Sequence, residues 1–406
     1  VEIDFMKNDG KQIIIVGGGI AGVTAADAAR KTSSTAKILL IHDEPGLPYN
    51  RLNLTLMIAG EVSPDELEYR SPAWYEENRI EHTHDSVTGI DRASKTIALK
   101  EGGKMNYDAL ILATGANPFV PPIPGVEKAG VTTLRTLAHA KDILAGIREG
   151  TRCVCIGGGL LGIELAAGLA KRGARVTILE GFGWLLPRQL APRASEILKS
   201  RIEAIGLEVL CGVKVVGILG DENVTGVALE SGDMLESGLV LISAGVRPDM
   251  KLAASCGLET GKGVKVDDRM ATSDPAIFAA GDVTEHNGIV YGLWPSAMSQ
   301  GKVAGTNAAG GAATFEGIVP SAFLKVIGVD VFSIGDFMGE GARVVEKQDG
   351  DNYARLVLRD GILVGANLVG DTTAALPIKS AVSKGGRVVE NERLLKLFPE
   401  LAAPPE

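Results

Sequence analysis

The sequence predicts an α/β chain with two three-layer domains built on parallel sheets, followed by a C-terminal α+β domain. Three observations carry that prediction. A strand, a glycine-rich turn, a helix and a second strand follow one another from Lys11, and the same succession recurs from Cys153. After about Phe315 the texture changes to short β-rich runs such as Phe323 to Ile327 and Arg355 to Leu358. A chain of 406 residues has room for two or three domains at about 150 residues each.

In the first repeat, Gln12 to Val16 is a β-branched run suited to a buried parallel strand. It leads into Gly17-Gly18-Gly19-Ile20-Ala21-Gly22. An Ala-rich helical stretch, Val23 to Arg30, follows and ends in basic residues that suit a helix C-terminus. Lys37 to Ile41 is the next strand and exits at His42-Asp43-Glu44. In the second repeat the strand is Cys153 to Ile156 and the turn Gly157-Gly158-Gly159-Leu160-Leu161-Gly162. Its helix is Ile163 to Arg172, closed by Gly173, and Arg175 to Leu179 leads to Glu180. These are Rossmann-type βαβ units. The Pro-rich stretch Asn117 to Gly125 carries the chain out of the first domain, and Ala244-Gly245-Val246-Arg247-Pro248 marks its return. The expected division is 1–117 with 246–314, then 118–245 as a separate module, and 315–406 as a third domain containing a helical stretch, Ile378 to Val388.

Composition narrows the function. Hydrophobic residues at 45% and charged residues at 22% give ample core and no reason for bulk disorder. A net charge of −9 does not suit a nucleic-acid binder, which needs a basic footprint. Purely aliphatic runs such as Ile13 to Val16 are far short of the roughly 20 residues that span a bilayer. The opening Val1-Glu2-Ile3-Asp4 lacks the basic-then-apolar order of a secretory signal, so a cytoplasmic location is expected. The four cysteines, Cys153, Cys155, Cys211 and Cys256, include no C-x-x-C pair, and no metal site is expected. Cys153 and Cys155 read as small apolar residues on one strand face.

Each glycine turn follows a strand, opens a helix, and precedes an acidic residue by about 20 to 30 positions, the context of a dinucleotide cradle. Gly17 permits the sharp turn, Gly19 lets the backbone approach a pyrophosphate, and Gly22 lets the helix pack close to the strand. Free N–H groups at the helix start, with Ile20 and Ala21 in the turn that leads into it, then stabilise the phosphates. Glu44 is expected to take the ribose hydroxyls. Gly157, Gly159, Leu160, Leu161, Gly162 and Glu180 repeat these parts. A carboxylate at Glu180 repels a 2′-phosphate, which favours NAD over NADP.

The chain resembles the FAD-dependent pyridine-nucleotide oxidoreductases of the glutathione-reductase fold, from about Lys11 to Phe337. Its motifs are most similar to the group of NADH:rubredoxin reductases, ferredoxin reductases and the FAD/NADH portion of nitrite reductases. Pro48-Tyr49-Asn50-Arg51 resembles the family's flavin-side loop, which implies that Arg51 approaches FAD. Tyr107 to Gly115, ending Ala113-Thr114-Gly115, resembles the segment closing the first FAD module. Ala279-Ala280-Gly281-Asp282 resembles the second FAD motif, in which Asp282 bonds the ribityl chain. Leu185 to Leu190 resembles the stretch after the nicotinamide-side strand. The resemblance implies FAD held before about 117 and after about 246, NAD held between, with Gly245 at the return, and an interface-type domain after about 315.

The resemblance also marks departures. Glu164 matches a carboxylate near the nicotinamide and flavin, but Leu56 stands where ferredoxin reductases carry its Lys partner. Trp294 matches a Trp at the flavin's exposed edge, either on the electron exit or packed beneath the flavin. Disulfide reductases of this fold use a thiol in the first FAD module, yet Val1 to Arg152 contains no cysteine. Electrons are therefore expected to leave to an external acceptor, a small acidic carrier such as rubredoxin or ferredoxin. Lys379, Lys384, Arg387, Arg393 and Lys396 form either a docking patch for it or a solvated helix face. Rival readings are an NADH oxidase, an electron-feeding subunit of a larger metalloenzyme such as nitrite reductase or carbon monoxide dehydrogenase, and a non-catalytic NADH-sensing flavoprotein. The oligomeric state stays open, a homodimer included.

Overall fold

A computed structural model describes residues 10–326, 328–388 and 391–402; Ile327 of the expected β-rich run lies outside these. The chain forms two compact units. One comprises residues up to 53, 64–117 and 246–317, and the other 54–63, 118–245 and the chain from 318 onward.

The first unit is built on a five-stranded parallel sheet. Its spatial order is Ile277–Ala279, Ala109–Leu112, Gln12–Val16, Lys37–His42 and Ile80–His84. The central strand is buried from Ile13 to Val16, because it lies inside the sheet and carries only branched apolar side chains on both faces. The helix Ile20–Thr32 packs along the helix Trp294–Ala308 at very short range. Cβ atoms at Gly301 and Gly305 would fall on the Ala21 and Ala25 carbonyls, so glycine is what allows the approach. A three-stranded antiparallel meander, Val87–Asp91, Thr96–Leu99 and Lys104–Asn106, completes this repeat.

The second unit repeats that plan. Its parallel sheet runs Glu208–Cys211, Arg175–Glu180, Arg152–Ile156, Leu239–Ile242 and Val131–Thr132. It has its own meander, Val215–Leu219, Gly226–Leu229 and Met234–Glu236. The internal repeat therefore extends well past the glycine turns. Cys153 and Cys155 are buried in the central strand, and burial pushes both thiols up to about 12.

The helix Leu54–Ala59 also belongs to the second unit, although the chain on both sides of it belongs to the first. It packs on the helix Leu160–Lys171 where Gly168 offers no side chain; a Cβ there would crowd Thr55 O and Ala59 N at 3.3 Å. Arg172 donates to the carbonyls of Ile58 and Met57 at the C-terminus of the short helix, and Met57 O also accepts from Gly60 N–H.

The C-terminal part is a five-stranded antiparallel sheet in the order Ser321–Val326, Val329–Gly335, Ile362–Val369, Asn352–Arg359, Arg343–Asp349. One face packs on the helices Ala375–Lys384 and Glu392–Leu397 around Phe332, Leu356, Leu368 and Ile378. The helix expected over Ile378 to Val388 starts earlier and stops at Lys384, because Gly385 adopts the left-handed conformation (φ 66°) that ends it. The buried Asn367 ties this sheet to the chain that follows the second unit's parallel strand Arg175–Glu180. Its Oδ1 accepts from Ala191 N–H at 2.8 Å and its Nδ2 donates to Gln189 O at 2.8 Å.

Candidate functional site: two glycine cradles

The strand Gln12–Val16 ends in Gly17, whose φ of 118° side chains rarely adopt and whose Cβ would strike the Ala113 carbonyl. A Cβ on Gly22 would strike the Gly17 carbonyl. Gly19 differs: it is extended, and a Cβ there would meet nothing within 4 Å. The second cradle reproduces this. Gly157 has φ 116° and abuts the Ser243 carbonyl, Gly162 abuts Gly157, and Gly159 faces open space. Both helices begin without a side-chain cap, so their first-turn N–H groups keep their hydrogen-bonding capacity. Two glycines in each cradle are thus required by the fold itself. The third opens onto space where a phosphate can approach bare backbone, so each cradle fits a dinucleotide pyrophosphate.

The strand-end residues differ between the cradles. Glu180 closes its strand buried, with Oε2 accepting from Gly158 N–H at 2.8 Å and Oε1 from Phe182 N–H at 2.9 Å. Val16 faces Ile41 and Ile156 faces Leu179 in the two sheets, so the residue at the step of Glu180 in the first unit is His42. Glu44 lies two residues further on. Its carboxylate accepts from Tyr49 Oη at 2.6 Å and is ion-paired with Arg51. A cleft of about 400 Å³ opens at the ends of these strands, lined by Gly17, His42, Asp43, Thr114 and Asp249 among others. Asp43, rather than Glu44, is the strand-exit carboxylate on its lining. Which of the three polar residues leaving this strand stands at the step of Glu180 is set by sheet register, which the sequence alone does not show.

Thr114 donates to the Asp249 carbonyl at 2.9 Å, and Asp249 N–H donates to Gly115 O at 2.9 Å, which joins the two chain segments of the first unit. Gly115 and Gly245 both have positive φ (72° and 95°) at matching points of the two repeats. Gly281 N–H donates to Gln300 Oε1 at 2.8 Å, and its Cβ position lies 2.8 Å from Ala21 Cβ. This sets the neighbouring Asp282 beside the start of the first glycine helix. Trp294 opens its helix half-buried, with its ring edge-on to Tyr69 at 6.1 Å. Arg70 stacks over Tyr69 and Trp74 in the same cluster.

Glu164 lies on the helix after the second cradle, and burial pushes its carboxyl above the ordinary range. Thr55 Oγ1 donates to it at 3.3 Å, so the helix Leu54–Ala59 does supply a partner, one residue before Leu56 and without charge. Among the described residues no cluster of three or more His, Cys, Asp or Glu side chains could hold a metal ion. None of their helices is long and apolar enough to cross a membrane.

Comparison with known proteins agrees with this geometry. Residues 11–301 match the family Pyridine nucleotide-disulphide oxidoreductase, and residues 320–386 match the Rubredoxin NAD+ reductase C-terminal domain. The chain belongs to the pyridine nucleotide-disulphide oxidoreductase family, and its cofactors are FAD and NAD(H). It is 35% identical over 396 residues to the nitrite reductase [NAD(P)H] of Bacillus subtilis (strain 168), covering 96% of this chain and 49% of that protein. It is 31% identical over 373 residues to the NADH-rubredoxin oxidoreductase of Clostridium acetobutylicum, covering 91% and 94%. Among solved structures, the covalent putidaredoxin reductase–putidaredoxin complex matches with a TM-score of 0.88 and 25% identity, over 97% of this chain and 98% of that one. The chain thus spans about half of the first relative and nearly all of the second.

Proposed function

We propose that the protein is an NADH-dependent flavoprotein reductase that passes electrons to a small external carrier of the rubredoxin or ferredoxin kind, without a redox-active disulfide. The observation that carries the proposal is the pair of matched cradles combined with the absence of cysteine before Cys153. A bound flavin accepts hydride from reduced nicotinamide and releases electrons singly or in pairs. The chain's own task is to bind and orient. Gly17, Gly19, Ile20, Ala21 and Gly22 form the FAD pyrophosphate seat, with Asp43, Thr114, Gly115, Gly281 and Asp282 around it. Arg51 serves the flavin side from its ion pair with Glu44. Gly157, Gly159, Leu160, Leu161, Gly162 and Gly245 form the NADH seat.

Glu180, each oxygen of which accepts one backbone N–H, sets a carboxylate where a 2′-phosphate would sit, which supports NADH over NADPH. The thiols of Cys153 and Cys155 are buried, and their high pKa values withhold the thiolate an electron relay needs. Lys384, Arg387, Arg393 and Lys396 are exposed and offer an acidic carrier a steering surface. We read the location as cytoplasmic.

Anaerobic addition of NADH to the purified yellow protein tests the reading. Flavin bleaching followed by rapid reoxidation with added rubredoxin or ferredoxin supports it, and persistence of the reduced spectrum with every carrier counts against it. A second reading has its own observation, the 96% coverage of this chain by half of a nitrite reductase. Under it the natural acceptor is a metal centre in a larger assembly, and the protein purified from its source would elute with that partner.

A further inference from the structure

The cleft at the carboxyl ends of the first unit's strands contains a histidine whose bonding is incomplete. Two more of the chain's five histidines, His82 and His84, lie beside it. His42 pairs in register with His84, and its ring lies 6.0 Å from that of His82 and 6.4 Å from that of His84. It lines the cleft and is 6% exposed. His42 Nδ1 lies 2.8 Å from the carbonyl oxygen of Glu44. A carbonyl only accepts, so Nδ1 carries the proton, and the neutral ring presents a lone pair at Nε2. That Nε2 is buried and has no hydrogen-bond partner among the described residues. Burial, reinforced by His82 and His84, holds the His42 pKa below its usual value against the Glu44 carbonyl and Asp43, which keeps the ring neutral near pH 7.

The internal repeat says which donor that lone pair meets. His42 and Glu180 occupy the same step of their sheets. Each stands against the middle glycine of its cradle: a Cβ on Gly18 would lie 2.8 Å from His42 Cβ, and one on Gly158 would lie 3.1 Å from Glu180 Cβ. Each side chain also closes onto the backbone two residues on, Glu180 by accepting from an N–H and His42 by donating to a C=O. Each leaves acceptor capacity beside its glycine turn, His42 at Nε2 and Glu180 in the remaining lone pairs of its carboxylate. A pyrophosphate oxygen cannot donate to such an acceptor, whereas a ribose hydroxyl can.

We propose that His42 Nε2 accepts a hydrogen bond from an adenosine ribose hydroxyl of FAD, an imidazole filling the place that a carboxylate holds in the NADH cradle. The proposal rests on the reading that the first unit holds FAD. Asp43, on the same lining, is the competing acceptor.

The test uses the full chain stripped of flavin, titrated with FAD and with FAD analogues carrying 2′-deoxyadenosine or 3′-deoxyadenosine, and read by flavin fluorescence. The native chain is expected to bind FAD roughly 3- to 10-fold more tightly than one of the analogues, the size of one neutral hydrogen bond. His42→Ala is expected to lose that preference and to weaken FAD by a similar factor. His42→Gln, which keeps an acceptor, is expected to retain part of the preference, and this guards against a folding defect in the alanine variant. Equal affinity of the native chain for all three ligands overturns the proposal. So does an undiminished preference in His42→Ala, or its loss in Asp43→Asn with His42 intact. A native chain that binds neither FAD nor its analogues overturns the FAD reading itself, a result separable from the others.

Discussion

Replacing Gly159 with alanine separates nucleotide binding from folding. The residue is extended (φ −81°, ψ 177°), so the substitution brings no backbone strain, and its new methyl group would meet no protein atom within 4 Å. Stability is therefore expected to hold, with a melting temperature within about 2 °C of the native chain. The methyl instead fills the space through which a pyrophosphate oxygen approaches the amide nitrogens to about 2.8 Å. Displacing that oxygen forfeits at least one hydrogen bond to a charged group, worth about 1.5–3 kcal/mol. At about 1.4 kcal/mol per decade, NADH binding weakens roughly 10- to 100-fold.

Gly162→Ala is the contrasting variant, since its Cβ would strike the Gly157 carbonyl. Overpacking of that kind costs about 1–3 kcal/mol, so folding itself suffers. Stopped-flow flavin reduction over a series of NADH concentrations gives the dissociation constant, and thermal melts give stability. An unchanged NADH constant in Gly159→Ala would refute the pyrophosphate assignment. A collapsed melting temperature would refute the claim that the space is open.

Other outcomes follow from the same structure. Glu180→Gln removes the carboxylate but keeps an acceptor for Gly158 N–H, so the ratio of kcat/KM for NADH over NADPH should fall about tenfold in steady-state assays. For Glu164, burial raises the folded-state pKa, so its contribution to stability is fully present below the unfolded value and is lost as pH rises through the folded one. Glu164→Gln should therefore match the native melting temperature near pH 4, exceed it as pH rises, and hold a constant lead once pH passes the folded-state pKa. Asn367→Leu would leave Ala191 N–H without its buried acceptor, at about 1–3 kcal/mol, while Gln189 O keeps the Ser333 hydroxyl, and urea melts would register a lower midpoint.

The parts of this fold that a reader can take from the sequence are those fixed by backbone geometry over short distances. Gly17 and Gly157 need a positive φ, Gly22 and Gly162 need a missing side chain, and both requirements leave a glycine at a set spacing from a β-branched strand. The matching meanders were not legible, because Val87–Asp91 and Val215–Leu219 are short and only partly buried, and such strands alternate weakly. His42 was hidden for a different reason. Its equivalence to Glu180 depends on sheet register, which a run of three polar residues does not reveal. The partner of Glu164 was hidden too, since Thr55 reaches it across a long stretch of chain and a hydroxyl carries no charge pattern to search for.

The placement of Leu54–Ala59 bears on how the molecule can be taken apart. A fragment running from 118 to 245 would look like a free-standing nucleotide-binding module, yet it would leave behind the short helix that covers Gly168. Its Arg172 would lose the carbonyls of Met57 and Ile58, and Lys171 would lose Glu61. Anyone grafting this module onto another reductase has to bring along ten residues from a distant stretch of the chain, 54–63, or cover the bare glycine face by other means.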